Sequence, residues 1–185
     1  MIEDKERWNV RHIKKPMKTT VAPIVQKYAN LAKVDKALDI ACGTGRNTHF
    51  LEKMGFSVDA VDLSDYALSC IKDTPKIIKL EKDLDSYNLE KNRYNLVVNC
   101  NYLNRRLMKQ ISDALVVDGV VIFQTFIVAH EREENGSMNP DYLLKPNELL
   151  KTFLDLEIIY YEEYDDINGF GEKIRVASLV ARKVG

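Results

Sequence analysis

Patterns that hold disulfides or metals are missing from this sequence, which has only three cysteines and three histidines in 185 residues. Cys42, Cys70 and Cys100 are odd in number and show no C-x-x-C spacing. We therefore interpret them as small buried hydrophobic residues of a protein in a reducing compartment. The histidines are far apart along the chain, so the sequence predicts no metal site.

Long apolar runs and an excess of one charge are missing as well. No stretch approaches about 18 consecutive apolar residues, and the N-terminal MIEDKERWNVRHIKKPMK is charged throughout. We therefore expect no membrane span, no secretory signal peptide and a cytoplasmic protein. The net charge is −1, with lysine and arginine scattered along the chain, which argues against a surface built for nucleic acid. We expect a small-molecule partner, and the sequence indicates no oligomeric state.

Short apolar runs alternate with amphipathic stretches, which predicts an α/β fold around a mostly parallel sheet. Strands are predicted at 36–41, 57–63, 76–80, 94–100 and 120–126, with helices between most of them. A helix capped by Thr19 or Thr20 precedes the first strand. The last two strands, 156–165 and 173–184, have no helix between them, so we expect them to be antiparallel. The whole chain, 1–185, is predicted to be one domain whose residues 1–33 form a helical lid segment.

A glycine-containing loop follows the first predicted strand in the stretch ALDIACGTGRNTHFL, residues 37–51. Glycines there let a ligand approach the backbone N–H groups at the start of a helix. A P-loop is excluded because its second glycine and its lysine are absent. The dinucleotide fingerprint G-x-G-x-x-G is incomplete because Thr48 occupies the third glycine position, although Asp62 lies at a ribose-binding distance downstream.

Four stretches in order resemble the motifs of the class I S-adenosylmethionine-dependent methyltransferases. LDIACGTG is similar to the first motif, in which an acidic residue precedes the glycine-rich loop. VDAVDLS and EKDLDSY are similar to the second and third, whose acidic residues take the ribose hydroxyls and the adenine amino group. YNLVVNCNYL is similar to the fourth, at the methyl end of the cofactor. The closer similarity is to the small tellurite-resistance-type methyltransferases, whose NYL-x-R and NP-x-YLLKPNELL patterns match residues 101–105 and 139–150.

This resemblance implies a Rossmann-like seven-stranded methyltransferase sheet with an antiparallel C-terminal hairpin, helices on both faces, and S-adenosyl-L-methionine as cofactor. The cofactor-binding residues that it implies are Asp39, Ala41, Cys42, Gly43, Gly45, Asp62, Leu63, Asp83, Leu84, Asn99 and Asn101. Asp39 either reaches the cofactor amino group through water or only braces the loop. Ala41 replaces the first glycine usual in this motif, and we expect it to keep a negative φ with a small geometric effect.

The acceptor side is less defined, and its candidate catalytic residues are His130, Arg105 and Tyr102. His130 is either a general base or a solvated loop histidine. Arg105 and Arg106 either steer an anionic substrate or lie on a solvated helix start, and His12 and His49 are interpreted as surface or helix-face residues. The predicted function is methyl transfer to a small thiol, chalcogen oxyanion or amine. The alternatives are a non-catalytic S-adenosylmethionine-binding subunit or sensor and a nicotinamide-dependent oxidoreductase.

Overall fold

A computed structural model describes residues 2–14, 18–128, 139–167 and 173–185 of the chain. The helices are α1 (Ile2–Lys14), α2 (Pro23–Tyr28), α3 (Arg46–Met54), α4 (Asp65–Ser69), α5 (Arg105–Ala114) and α6 (Glu148–Thr152). The strands are β1 (Lys36–Ile40), β2 (Ser57–Asp62), β3 (Ile77–Glu81), β4 (Tyr94–Cys100), β5 (Leu115–Phe126), β6 (Glu157–Ile167) and β7 (Lys173–Arg182). Short 3-10 turns occupy Ala29–Leu31 and Pro140–Tyr142.

One seven-stranded sheet carries the fold, in the order β3-β2-β1-β4-β5-β7-β6. The first five strands are parallel, and β7 lies antiparallel between β5 and β6. The predicted seven-stranded sheet and its antiparallel C-terminal pair are therefore confirmed. The order reverses between β1 and β4, so the two halves of the sheet separate at that point, where open α/β sheets bind ligands.

Helices cover both faces of the sheet, as predicted. Leu107 and Ile111 of α5 and Leu149 of α6 are buried in a core on one face. Val25 of α2 and Leu51 of α3 are buried in a second core on the other face. Because the central strands are buried on both sides, they form nearly continuous apolar runs, and this explains why the sequence revealed them.

Local chemistry marks the start of α4, whereas the predicted cap of α2 is an error. Ser64 caps α4 by accepting a hydrogen bond from the amide of Ala67 at 3.0 Å. The predicted cap of α2 by Thr19 or Thr20 is wrong, because the N-cap is Ala22 and no side chain in the described region caps it. Pro23 starts the helix instead, since its ring sets the helical φ and it needs no partner for an N–H.

The first helix, α1, docks beside the carboxyl ends of β2 and β3. Lys5 Nζ lies 2.8 Å from Asp65 Oδ2 and 2.6 Å from Glu81 Oε1. Asn9 donates to Asp65 Oδ1 at 2.7 Å, and its Oδ1 accepts from the Ser64 hydroxyl at 2.5 Å. Residues 2–14 are thus helical and lie against the edge of the sheet where the predicted cofactor residues gather. None of the helices in the described ranges is long and apolar enough to span a membrane.

Candidate functional site

The carboxyl ends of β1, β2, β3 and β4 meet at one edge of the sheet because these strands are parallel. The loop 41–45 leaves β1 there, β2 ends at Asp62, and β4 ends at Cys100 just before Asn101. The structure therefore brings most of the predicted cofactor residues to one place. Sequence motifs separated by about 20 residues become neighbours through strand pairing alone.

The loop between β1 and α3 is wound tightly, with three of its five residues at positive φ. Ala41, Gly43 and Gly45 have φ values of 51°, 54° and 84°. The expectation that Ala41 keeps a negative φ is wrong, because the chain must turn away from β1 immediately after Ile40. A Cβ at Gly45 would lie 2.7 Å from Ile71 Cγ1, so α3 can start there only with glycine.

Asp62 closes this loop onto the end of β2. Its Oδ2 accepts from the amide of Gly43 at 2.8 Å, and its Oδ1 accepts from the amide of Ser64 at 2.9 Å. The residue is 8% exposed, and each carboxylate oxygen keeps lone pairs beyond its single backbone hydrogen bond. Asp62 is thus held rigidly with the capacity to accept from two hydroxyl groups, which is what a ribose diol offers.

Asp39 lies beneath the loop and contacts the helix that follows it. Thr48 donates its hydroxyl to Asp39 Oδ2 at 2.6 Å, and both residues are buried. Burial raises the pKa of Asp39 to about 7, while Thr48 and the nearby Arg46 oppose this rise. Burial likewise raises the pKa of the neighbouring Cys42 thiol, so Cys42 is neutral and unreactive there.

The Asp83–Leu84 stretch forms a turn after β3. Asp83 Oδ1 accepts from the amide of Asp85 at 3.0 Å, and the Asp83 carbonyl accepts from the amide of Tyr87 at 2.8 Å. Asp83 is partly exposed, so its outer oxygen is free to face a ligand. Leu84 is buried in the core beneath α5, and it supports the turn from below.

The end of β4 is shaped by two asparagines and a tyrosine. Asn99 is buried and donates to the carbonyl of Tyr102 at 2.8 Å, while Asn101 is exposed with a φ of 61°. Burial raises the pKa of Tyr102 to about 12, so its phenol stays protonated at neutral pH. Asn104 Nδ2 lies 3.4 Å from the Tyr102 hydroxyl oxygen and donates to it. This corner therefore presents neutral donors and acceptors.

The two arginines at the start of α5 hold neighbouring segments in place. Arg105 donates to Glu148 at 2.6 and 3.0 Å, to the Asp141 carbonyl at 3.0 Å and to the Leu143 carbonyl at 2.9 Å. Arg106 donates to the Leu84 carbonyl at 2.8 Å. Arg105 is exposed and Arg106 is partly buried, and both are hydrogen-bonded to other segments, while a direct role of Arg105 in catalysis stays a prediction. His130 lies outside the described residues.

Sequence reasoning missed several residues that shape the site. His12 was interpreted as a surface or helix-face residue, and it is buried; burial lowers its pKa, while the nearby Asp62 partly opposes this. Asn9 reaches Ser64 beside Asp62. Thr48 appeared only as a departure from the dinucleotide fingerprint. In the described parts of the chain, no group of three or more histidine, cysteine or acidic residues is arranged to hold a metal.

The sheet order, the antiparallel C-terminal pair and the loop closed by an acidic residue of β2 define the class I methyltransferase fold. A crystal structure of TehB from Haemophilus influenzae aligns with a TM-score of 0.78 at 22% identity over 95% of this chain and 67% of that one. A Methanosarcina mazei S-adenosylmethionine-dependent methyltransferase structure aligns with a TM-score of 0.68 at 18% identity over 89% of this chain and 99% of that one. These likenesses show the fold.

The family is shown by a match over most of the chain. The family model described as "Tellurite resistance protein TehB" matches residues 5–178, so the chain belongs to the TehB family. A Haemophilus influenzae relative, "Probable S-adenosyl-L-methionine-dependent methyltransferase TehB", is 25% identical over 92% of this chain. The chain spans 65% of the length of that relative.

Proposed function

We propose that the chain binds S-adenosyl-L-methionine and transfers its methyl group to a small acceptor in the cytoplasm. The observation that carries this proposal is the closure of the glycine loop by Asp62, whose two oxygens are each held by a backbone amide. A carboxylate fixed in this way at the end of β2 can accept hydrogen bonds from the two hydroxyl groups of a ribose. Membership of the TehB family and the names of its relatives support the same cofactor.

The remaining cofactor residues follow from their positions. We assign the adenine amino group to Asp83, which is partly exposed after β3, and a position beside the adenine to Leu63, the residue after Asp62. The loop 41–45 meets the methionine end beside Asn99 and Asn101. Helix α1 contacts Ser64 and Asp65 directly after Asp62, which supports the proposal that the N-terminal segment is a lid over the nucleoside.

The cofactor supplies an activated methyl group, so the protein has to align the acceptor and exclude water. In the transfer, a lone pair of the acceptor forms the new bond to the methyl carbon as the carbon–sulfur bond breaks, which leaves S-adenosylhomocysteine. An oxyanion of tellurium or selenium has such a lone pair and needs no general base, whereas a thiol must first lose a proton. The description of the family favours the chalcogen oxyanion.

Two side chains support an acceptor position next to the end of β4. Tyr102 presents a protonated hydroxyl there. Thr125, one residue before the end of β5, is buried, and its hydroxyl has no hydrogen-bond partner within the described part of the protein. A buried hydroxyl without a hydrogen-bond partner destabilises a fold and is rare. A polar methyl-acceptor substrate bound here would supply the missing hydrogen bond.

Calorimetric titration with S-adenosylmethionine, S-adenosylhomocysteine and NAD tests the cofactor. We expect the first two to bind and NAD not to bind. Asp62→Ala should weaken binding by about tenfold or more and Asp83→Ala by less, because a hydrogen bond to a charged group contributes about 1.5–3 kcal/mol. Asp113→Ala, on the exposed end of α5, is the matched control and should bind like the wild type.

Production of S-adenosylhomocysteine with tellurite, selenite, a thiol panel and an amine panel tests the reaction. Turnover with tellurite or selenite above the rate without protein supports the proposed acceptor. Cofactor binding without turnover of any acceptor would favour the non-catalytic subunit or sensor. Binding of NAD alone would favour the oxidoreductase and contradict the proposal.

A further inference from the structure

Thr48 and Asp39 form a buried hydrogen-bonded pair beneath the cofactor loop. Asp39 is the last residue but one of β1, and Thr48 lies in the first turn of α3. The loop 41–45 lies between them, so the 2.6 Å hydrogen bond joins the two ends of this loop. Thr48 is completely buried and Asp39 is 1% exposed. A hydroxyl–carboxylate bond this short and this dry is of the charge-assisted kind.

Few groups stabilise the charged form of Asp39, and the Thr48 hydroxyl contributes most among them. The Thr48 hydroxyl and amide and the Arg46 guanidinium, all from α3, stabilise the carboxylate. Asp62 faces it from β2 and disfavours it. The two thiols that face Asp39, Cys42 of the loop and Cys100 of β4, are neutral because burial raises the pKa of each. Burial raises the pKa of Asp39 to about 7, so its charge changes near neutral pH.

We propose that Thr48 is a positioning residue for S-adenosylmethionine, which acts by holding Asp39 charged and the loop closed beneath the cationic methionine end. The inference rests on the proposed function. Asp39 would then hold the loop in place through its hydrogen bond with Thr48. Its negative charge would also stabilise the bound ammonium and sulfonium groups of the cofactor. The third glycine of the dinucleotide fingerprint has no side chain that could do this, so Thr48 is a functional replacement.

The direction of the pH effect follows from linkage. Below about pH 7 the Asp39 carboxyl of the free protein is protonated, and above it the carboxylate is charged. If the charged form binds the cofactor better, affinity rises as the pH rises through this range, and binding below it releases a proton. Loss of the Thr48 hydroxyl raises the pKa of Asp39 further, so the midpoint of the affinity profile should move to higher pH.

The test measures the dissociation constant of S-adenosylmethionine and the protons released on binding from pH 5.5 to 9, in buffers of different ionisation enthalpy. Thr48→Val should weaken binding at neutral pH by about tenfold and move the midpoint upward. Thr48→Ser keeps the hydroxyl and should behave like the wild type. Asp39→Asn should lose both the midpoint and the proton release. His12→Gln should keep both, and it controls for the histidine that faces Asp62.

The outcomes separate this inference from the proposed function. If wild type binds neither S-adenosylmethionine nor S-adenosylhomocysteine, the proposed function fails, and the inference fails with it. If wild type binds but Thr48→Val, folded by circular dichroism, keeps its affinity and midpoint, only the inference is overturned. If Thr48→Val does not fold, Asp39→Asn decides, because a midpoint that persists in that variant overturns the inference and its loss supports it.

Discussion

Ala41 shows how a single residue carries the strain of the cofactor loop. Its φ of 51° is left-handed, a region that costs an alanine about 1–2 kcal/mol because its Cβ approaches the backbone. The loop needs this turn in order to place the amide of Gly43 at Asp62. A glycine at this position would adopt the same conformation without strain.

Replacement of Ala41 by glycine should therefore leave the stability unchanged or raise it by up to about 1 kcal/mol. The relieved strain exceeds or offsets the extra entropy of glycine in the unfolded chain, about 0.4–1 kcal/mol, and the loss of a partly buried methyl. Urea unfolding measures this change. Ala67→Gly in α4 is the matched control, and it should cost about 1 kcal/mol because Ala67 is buried in a helix. An equal loss of stability in both variants would contradict the assignment of backbone strain to Ala41.

At the scale of elements, polar side chains of α1 join this helix to α4 and β3. Lys5 joins it to α4 and β3, and Asn9 joins it to the Ser64 cap. The Lys5 ammonium is partly exposed, so these ion pairs are screened by salt. Contacts of this kind can break without disturbing the apolar core, which is what the proposed lid requires.

Lys5→Gln should loosen α1 and speed the exchange of its amide hydrogens by about two- to fivefold, since exposed ion pairs contribute little each. High salt should reproduce the effect in the wild type and add little in the variant. Hydrogen–deuterium exchange of residues 2–14, read by mass spectrometry, measures this change. Arg7→Gln is the control, because Arg7 pairs with Asp4 within α1 at 2.9 Å. If both variants exchange alike, Lys5 does not hold the helix on the domain.

At the scale of the whole molecule, a buried charge cluster ties the sheet together away from the cofactor edge. Asp59 of β2 accepts from Lys36 of β1, from Arg93 Nη2 at 3.3 Å and from the Tyr94 hydroxyl of β4 at 3.1 Å. Asp59 is 1% exposed, so these partners replace the water that would otherwise solvate its carboxylate. Burial is also the main reason that the pKa of Tyr94 is raised. The cluster links three strands near their amino ends.

Asp59→Asn should lower the free energy of unfolding by about 2 kcal/mol, because it weakens the hydrogen bonds from Lys36, Arg93 and Tyr94 to a charged group, while the two cations stay partly exposed. Affinity for S-adenosylmethionine should be nearly unchanged, since the cluster is at the other end of the strands. Urea unfolding and calorimetry measure the two quantities. Asp113→Asn removes an exposed ion pair with Lys91 and should cost under about 1 kcal/mol. A similar small loss for Asp59→Asn would show that the cluster adds little stability.

The sequence by itself determined the sheet, the class of fold and the positions of the cofactor motifs. Strands such as Tyr94–Cys100 are largely buried on both faces, so their residues are mostly apolar, and Gly55 and Ser64 mark helix ends through local chemistry. Each of these signals involves only a few neighbouring residues, so it can be recognised in the sequence alone. Asp62 was recognisable because the stretch VDAVDLS resembles the second methyltransferase motif, which also spans only a few residues.

Only the tertiary structure decided which side chains meet across the site. The Thr48 hydroxyl reaches Asp39 because α3 folds back over β1, and His12 is buried because α1 docks beside Asp62. Arg105 is exposed but is held by Glu148, which lies 43 residues away along the chain. Such contacts join distant segments and leave no periodic pattern along the chain. They arise only when strand pairing and helix packing bring those segments together, so burial, charge state and loop strain could be read only from the fold.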